Sequence, residues 1–201
     1  MKELNEIELD ALREFTSVGT SHAATALSKL LDRQVAVSMP EAKMVEITKI
    51  PEFLGGGRLQ VVGLYFRIHG DINGSILLFF DEKQANKLIN ILMADFDPVD
   101  TPEFEEMRKS AMMELGNIIT NSYLNALAQM MDMSILLSVP NYATDELSSV
   151  LDFLLIELSQ AADQALMMNT VIKLPDSEVN GSFIMFPDAA SLDKIFAKIG
   201  V

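Results

Sequence analysis

Four residues of types able to do chemistry recur in this chain at the same spacing. Ser110, Glu114, Asn117 and Pro140 are separated by three, two and twenty-two residues, and Asp10, Glu14, Ser17 and Pro40 repeat those gaps 100 residues earlier. Three or four residues apart on a helix is one face, so each copy brings a carboxylate and a hydrogen-bonding side chain together. At neutral pH the carboxylate only accepts, whereas an amide both donates and accepts and a hydroxyl rotates freely. The copies differ at that point, Asn117 in one and Ser17 in the other. A helix-then-proline spacing written twice predicts an internally duplicated domain.

Composition narrows the chemistry further. The absence of cysteine excludes thiol catalysis, disulfides and thiolate metal sites. His22 and His69 stand apart in different elements and form no ligand cluster, and the aspartate-rich loop of a calcium site is missing. Gly55-Gly56-Gly57 lacks the Lys-Ser/Thr of a phosphate loop and reads as a connection. A net charge of −14 and a pI near 4.4 repel a phosphate backbone, so nucleic acid is not an expected partner. The longest apolar runs are far too short for a membrane span, and the acidic start MKELNEIELD is no secretory signal. The expected location is the cytoplasm.

The elements that must position the two copies follow from periodicity. Asn5 with Glu8 opens a helix over Ile7 to Leu31, strand-like segments lie near Val35 to Val45 and Arg58 to His69, and Asn73-Gly74 marks a turn before the strand Ser75 to Phe80. Asp81 with Gln84 caps a helix to about Met93. Thr101-Pro102 opens a long helix to about Met131, followed by a strand over Ile135 to Val139. Thr144-Asp145-Glu146 opens another helical stretch, and Ala165 to Leu174 and Gly181 to Phe186 read as strands. Asp188 caps a last helix. Asp71-Ile72-Asn73-Gly74-Ser75 is echoed by Glu178-Val179-Asn180-Gly181-Ser182, each read as an Asn-Gly-Ser turn before a strand and a helix. The expectation is an α/β fold: one domain over 1–201, half-repeats near 5–95 and 101–200, and pseudo-two-fold symmetry with long helices packed on an antiparallel β-sheet.

At 100° per residue, Ser110, Glu114, Asn117 and Asn121 fall within about 60° of arc, while Ala111, Leu115, Ile118, Ile119, Ser122 and Ala126 cluster on another face. A solvated helix face is the bland account of the first group. It does not require the same spacing to a distant proline twice over, although duplication alone could retain prolines that follow strands.

These residues resemble a known family. The spacing Asp/Ser-x3-Glu-x2-Asn-x22-Pro is similar to the motif of the CheC-type chemotaxis phosphatases, a group that includes CheX and FliY. The second copy matches it fully, and the first departs at the amide. Glu114-Leu115-Gly116-Asn117-Ile118 looks like the family's Glu-x-Gly-Asn core, and the resemblance extends over the whole chain, in the layout of a free-standing CheC.

The resemblance implies hydrolysis of the aspartyl-phosphate of a CheY-like response regulator. Asn117 would orient the attacking water and Glu114 would grip a cation on the regulator, its lysine, with Ser110 and Pro140 supporting them. Acyl phosphate hydrolysis asks mainly for an in-line water. No cofactor is expected on this chain, and Mg2+ would sit on the regulator. Asp10, Glu14, Ser17 and Pro40 would form a degenerate first site. A second implied partner is the receptor deamidase CheD, bound through a helix opened by Asp145, with Leu147 and Val150 on the same stripe as Leu151, Leu154 and Leu158. The alternatives are a non-catalytic adaptor that binds CheY or CheD, and a structural protein related to the flagellar switch.

Overall fold

In the computed structural model, which describes residues 6–39, 42–54, 56–157 and 164–199, the same series of elements runs twice. The first series is α1 (Glu6–Leu31), β1 (Ala36–Ser38), β2 (Ala42–Glu46), a 3-10 turn (Ile47–Lys49) with the short α2 (Ile50–Phe53), β3 (Gln60–Gly70), β4 (Gly74–Asp81) and α3 (Glu82–Leu92). The second is α4 (Pro102–Met131), β5 (Ile135–Leu137), β6 (Asn141–Glu146), α5 (Leu147–Glu157), β7 (Gln164–Leu174), β8 (Ser177–Pro187) and α6 (Ala189–Ile199). The strands form one antiparallel sheet in the order β1-β7-β8-β4-β3-β5, with β2 also on β7 and β6 also on β3. The α/β class and the long helices on an antiparallel sheet are as the sequence predicts.

The apolar run Ser75 to Phe80 reflects a strand buried on both faces. Ile76, Leu78 and Phe80 join Leu64, Phe66, Phe183, Leu115, Ile119 and Tyr123 in the core beneath the long helices. Leu77 and Phe79 face the other way, into a smaller core with Ile50, Leu147, Val150 and Leu151. The helix caps are those read from sequence. Asp81 Oδ1 accepts from Gln84 N at 2.7 Å, Thr101 Oγ1 from Phe104 N at 3.3 Å, and Asp188 Oδ1 from Ser191 N at 2.7 Å. The Asn5 cap lies outside the described residues.

Three expectations are corrected. Thr144-Asp145-Glu146 is not a helix start but the end of β6, with Asp145 opposite Val61, and the helix begins at Leu147. Thr144-Asp145-Glu146 has the composition of a cap, yet pairing with β3 satisfies its backbone. The second Asn-Gly-Ser is no turn either, because Asn180 pairs with Val171 and Gly181 with Thr170 inside β8. The chain reverses instead at Pro175-Asp176, between the paired Leu174 and Ser177. Val35 to Val45 is two strands rather than one segment, and the turn and short helix over 47–53 had no sequence counterpart.

Pro140, the described proline of the repeated spacing, marks an interruption in an edge strand. β5 pairs with residues 68–70 of β3 and β6 with residues 60–65, so Ser138, Val139 and Pro140 bulge from a nearly continuous edge. Proline, lacking an N–H, fits where the ladder is broken. Ser138 fastens the bulge, its N–H donating to Arg67 O and its Oγ accepting from Arg67 N, both at 2.9 Å. β1 and β2 share β7 in the same way. Pro40, between them in sequence, lies outside the described residues.

Candidate functional site

The second copy of the motif lies along the outer face of α4. Ser110 and Glu114 are exposed and Asn117 is half-buried, whereas Met112, Leu115, Gly116, Ile119 and Tyr123 are buried. Gly116 lets the helix settle on the sheet, since a Cβ there would overlap Leu64 Cδ1. The chemistry-bearing stripe therefore faces away from the core that fixes it. Pro140 is half-buried in the edge bulge. Lys109, next to Ser110, places its Nζ 5.8 Å from the centre of the Tyr142 ring, two residues beyond Pro140, and so joins α4 to the bulged edge. Val139, beside Pro140, is 82% exposed.

Sequence reasoning put Asn121 on this stripe but gave it no part. In the structure its Nδ2 donates to Asn117 Oδ1 at 2.7 Å and to Asn117 O at 3.0 Å. The i,i+4 spacing of two asparagines was the available signal.

The first copy lies on α1 in the same manner but with different chemistry. Glu14 and Ser17 are exposed, while the side chain of Asp10, a residue of α1, lies outside the described residues. Thr20, a neighbour of Ser17 on α1, is nearly buried and spends its hydroxyl on Ser17 O at 2.9 Å.

The expected partner surface is smaller than the stripe drawn from sequence. Leu147 is fully buried and Val150 and Leu151 nearly so, packed under α5 in the smaller core. Neither Leu147 nor Val150 can meet a partner directly. A helix laid on a sheet buries its apolar face, and that claim outranks a second use. Asp145 remains exposed, and it lines a cleft of about 480 Å³ with Tyr65, Arg67, Asn141 and Ser149. The side chains of Leu154 and Leu158 lie outside the described residues. Among the described residues no group of three or more His, Cys, Asp or Glu could hold a metal ion, and no helix is long and apolar enough to cross a membrane.

This geometry has known counterparts. The chain is 34% identical over 201 residues to the CheY-P phosphatase CheC of Bacillus subtilis (strain 168), covering 98% of this chain and 96% of that protein. The chain belongs to the CheC-type chemotaxis phosphatases. The family model for the chemotaxis phosphatase CheX matches residues 62–152, which includes the CheC-type motif of α4 from Ser110 to Pro140 and excludes the copy on α1. The fold of this CheC-type chain is that of Thermotoga maritima FliY, with a TM-score of 0.75 at 18% identity over 98% of this chain and 97% of that one. It also matches a CheX–CheY–BeF3–Mg2+ complex from Borrelia burgdorferi, with a TM-score of 0.52 at 19% identity over 87% of this chain and 98% of that one.

Proposed function

We propose that this chain is a chemotaxis phosphatase that hydrolyses the aspartyl-phosphate of a CheY-like response regulator in the cytoplasm, with α4 as its working face. The observation that carries this reading is the exposed carboxylate of Glu114 one helical turn from the Asn117 amide, on a helix held rigidly from behind, in a chain one-third identical to a CheY-P phosphatase along its whole length. Glu114 docks on a cation of the regulator. Asn117 holds a water in line with the phosphorus, and the water oxygen forms the new P–O bond as the bond to the aspartyl oxygen breaks. The aspartate leaves as a carboxylate and the water proton passes to solvent. Little covalent help is needed, so orientation dominates. The Mg2+ that balances phosphoryl charge belongs to the regulator, in keeping with the CheX–CheY complex that contains it. Ser110 lies one turn before Glu114 on the same exposed face of α4, and Ser110 and Pro140 are proposed to support the two principal groups.

The test is to mix the protein with phosphorylated regulator and follow phosphate release. Nearly all turnover is expected at the second copy, because a water held by Ser17 is misplaced by about a bond length, and a shift of ~1 Å can cost ~10²-fold. Glu114→Ala should therefore cost far more than Glu14→Ala in one assay. The opposite order would make α1 the working helix.

A second partner, the receptor deamidase CheD, is proposed to bind near Asp145, which is exposed where Leu147 and Val150 are buried. Asp145→Lys reverses a charge at the rim of the neighbouring cleft and should weaken a pull-down of CheD without slowing phosphate release. Unchanged capture would remove Asp145 from the contact.

A further inference from the structure

Beyond the differences at residues 10 and 110 and at 17 and 117, the two copies also differ one turn further along the helix. One turn beyond Asn117 is Asn121, whose amide nitrogen carries two hydrogens and makes two bonds to the same residue, at 2.7 Å to its side-chain oxygen and 3.0 Å to its backbone oxygen. One turn beyond Ser17 is Ser21, whose Oγ donates to Ser17 O at 2.9 Å. A hydroxyl has one hydrogen, and here the backbone takes it, so Ser21 has no donor left for the side-chain oxygen of residue 17. The backbone bond is generic on these helices, since Ser122 Oγ makes the same bond to Ile118 O at 2.7 Å and Thr25 Oγ1 to Ser21 O at 2.9 Å. Among the described residues the bond from Asn121 to Asn117 Oδ1 has no equivalent in the first copy.

We infer that Asn121 is a positioning residue of the phosphatase site, one that fixes the rotation of the Asn117 amide. With one lone pair of Oδ1 tied back along the helix, the Asn117 Nδ2 and the remaining lone pair of Oδ1 are presented in one orientation. Both asparagines are half-buried, which shields the bond between them from competing water. The inference rests on the proposed role of Asn117, and it extends the motif by one turn to a fourth helical member.

The test separates positioning from simple backbone capping. Asn121→Ser keeps a hydroxyl able to cap the Asn117 carbonyl, as Ser21 does for Ser17, but removes the bond to the side chain. We expect Asn121→Ser and Asn121→Ala to lower kcat for release of phosphate from the phosphorylated regulator by about three- to tenfold, the worth of one neutral hydrogen bond, with KM unchanged. Asn117→Ala with Asn121→Ser should be no slower than Asn117→Ala alone, because the second change has nothing left to orient. A wild-type kcat in Asn121→Ser, or losses that multiply in full in the double variant, would overturn the inference while leaving Asn117 in place. An Asn117→Ala protein as fast as wild type would overturn the parent assignment along with it. An independent arm adds function: with the second copy silenced by Asn117→Ala, Ser17→Asn together with Ser21→Asn should exceed Ser17→Asn alone in turnover. Equal rates would count against the clamp.

Discussion

Replacing Asn117 with alanine should slow phosphate release on the order of 10²-fold, the usual cost of losing one aligned catalytic donor, while regulator binding changes little. The fold should survive, because Asn117 is half-buried on the outer stripe of α4 and contributes nothing to the core. Its hydrogen-bonding partner Asn121 would keep the bond to the backbone carbonyl of residue 117. The measurement is single-turnover loss of phosphate from the regulator at saturating enzyme, which isolates the chemical step from docking. Glu114→Ala in the same experiment should instead raise the concentration needed for saturation, since its carboxylate grips the regulator and not the water. An Asn117→Ala protein that releases phosphate at the wild-type rate would end the water-positioning account.

The second large effect is structural and concerns the seam between α1 and α4. Gly19 packs against Tyr123 so closely that a Cβ would stand 2.5 Å from Tyr123 Cδ1 and 3.2 Å from its Cα. The ring cannot yield easily, being fully buried and tilted against Phe183 with 5.4 Å between centroids. Its burial also raises the phenol pKa well above the ordinary tyrosine value. Gly19→Ala must therefore push the two helices apart or shift the ring. Overpacking of this kind costs roughly 1–3 kcal/mol, which in a domain of this size is a fall of about 2–12 °C in Tm. Thermal unfolding followed by circular dichroism checks it. A Tm equal to that of the parent would mean that the seam is looser than the geometry says. Because both motif copies lie on these two helices, phosphate release should also fall in Gly19→Ala.

Where a residue's role depended on local chemistry, the sequence was legible. Thr101-Pro102, Asp81 with Gln84 and Asp188 opened helices because a cap needs only a side-chain oxygen and the next turn. The alternation in Val62, Leu64, Phe66 and Ile68 marked β3 because two faces of one strand face two different cores. The site stripe on α4 was visible for the same reason, as a helical arc that the core does not claim. What failed depended on distant partners. Asp145 and Glu146 carry helix-opening side chains, but β3 supplies a ladder that outbids the cap. Asn180-Gly181 has turn chemistry, yet the preceding Pro175-Asp176 has it too, and the hairpin register with β7 decided between them. Gly181 is needed inside the strand instead, where a Cβ would stand 2.5 Å from the Phe80 ring. Leu147 and Val150 looked available because a single helix cannot reveal that a sheet waits beneath it. Asn121 was seen on the stripe but not as a participant, since its function lies in a bond to another side chain.

The pairing of β4 with β8 at the centre of the sheet has a consequence for how the two copies could diverge. That pairing joins the hairpin of one half to the hairpin of the other, and neither half alone would cover the inner edge of its own hairpin. Two separate half-chains could satisfy those edges only by associating, and in a symmetric pair every change in the gene appears on both faces at once. Carrying both halves on one polypeptide lifts that constraint. Position 17 is inherited independently of position 117, so one face is free to explore while the other keeps working, with the sheet between them undisturbed.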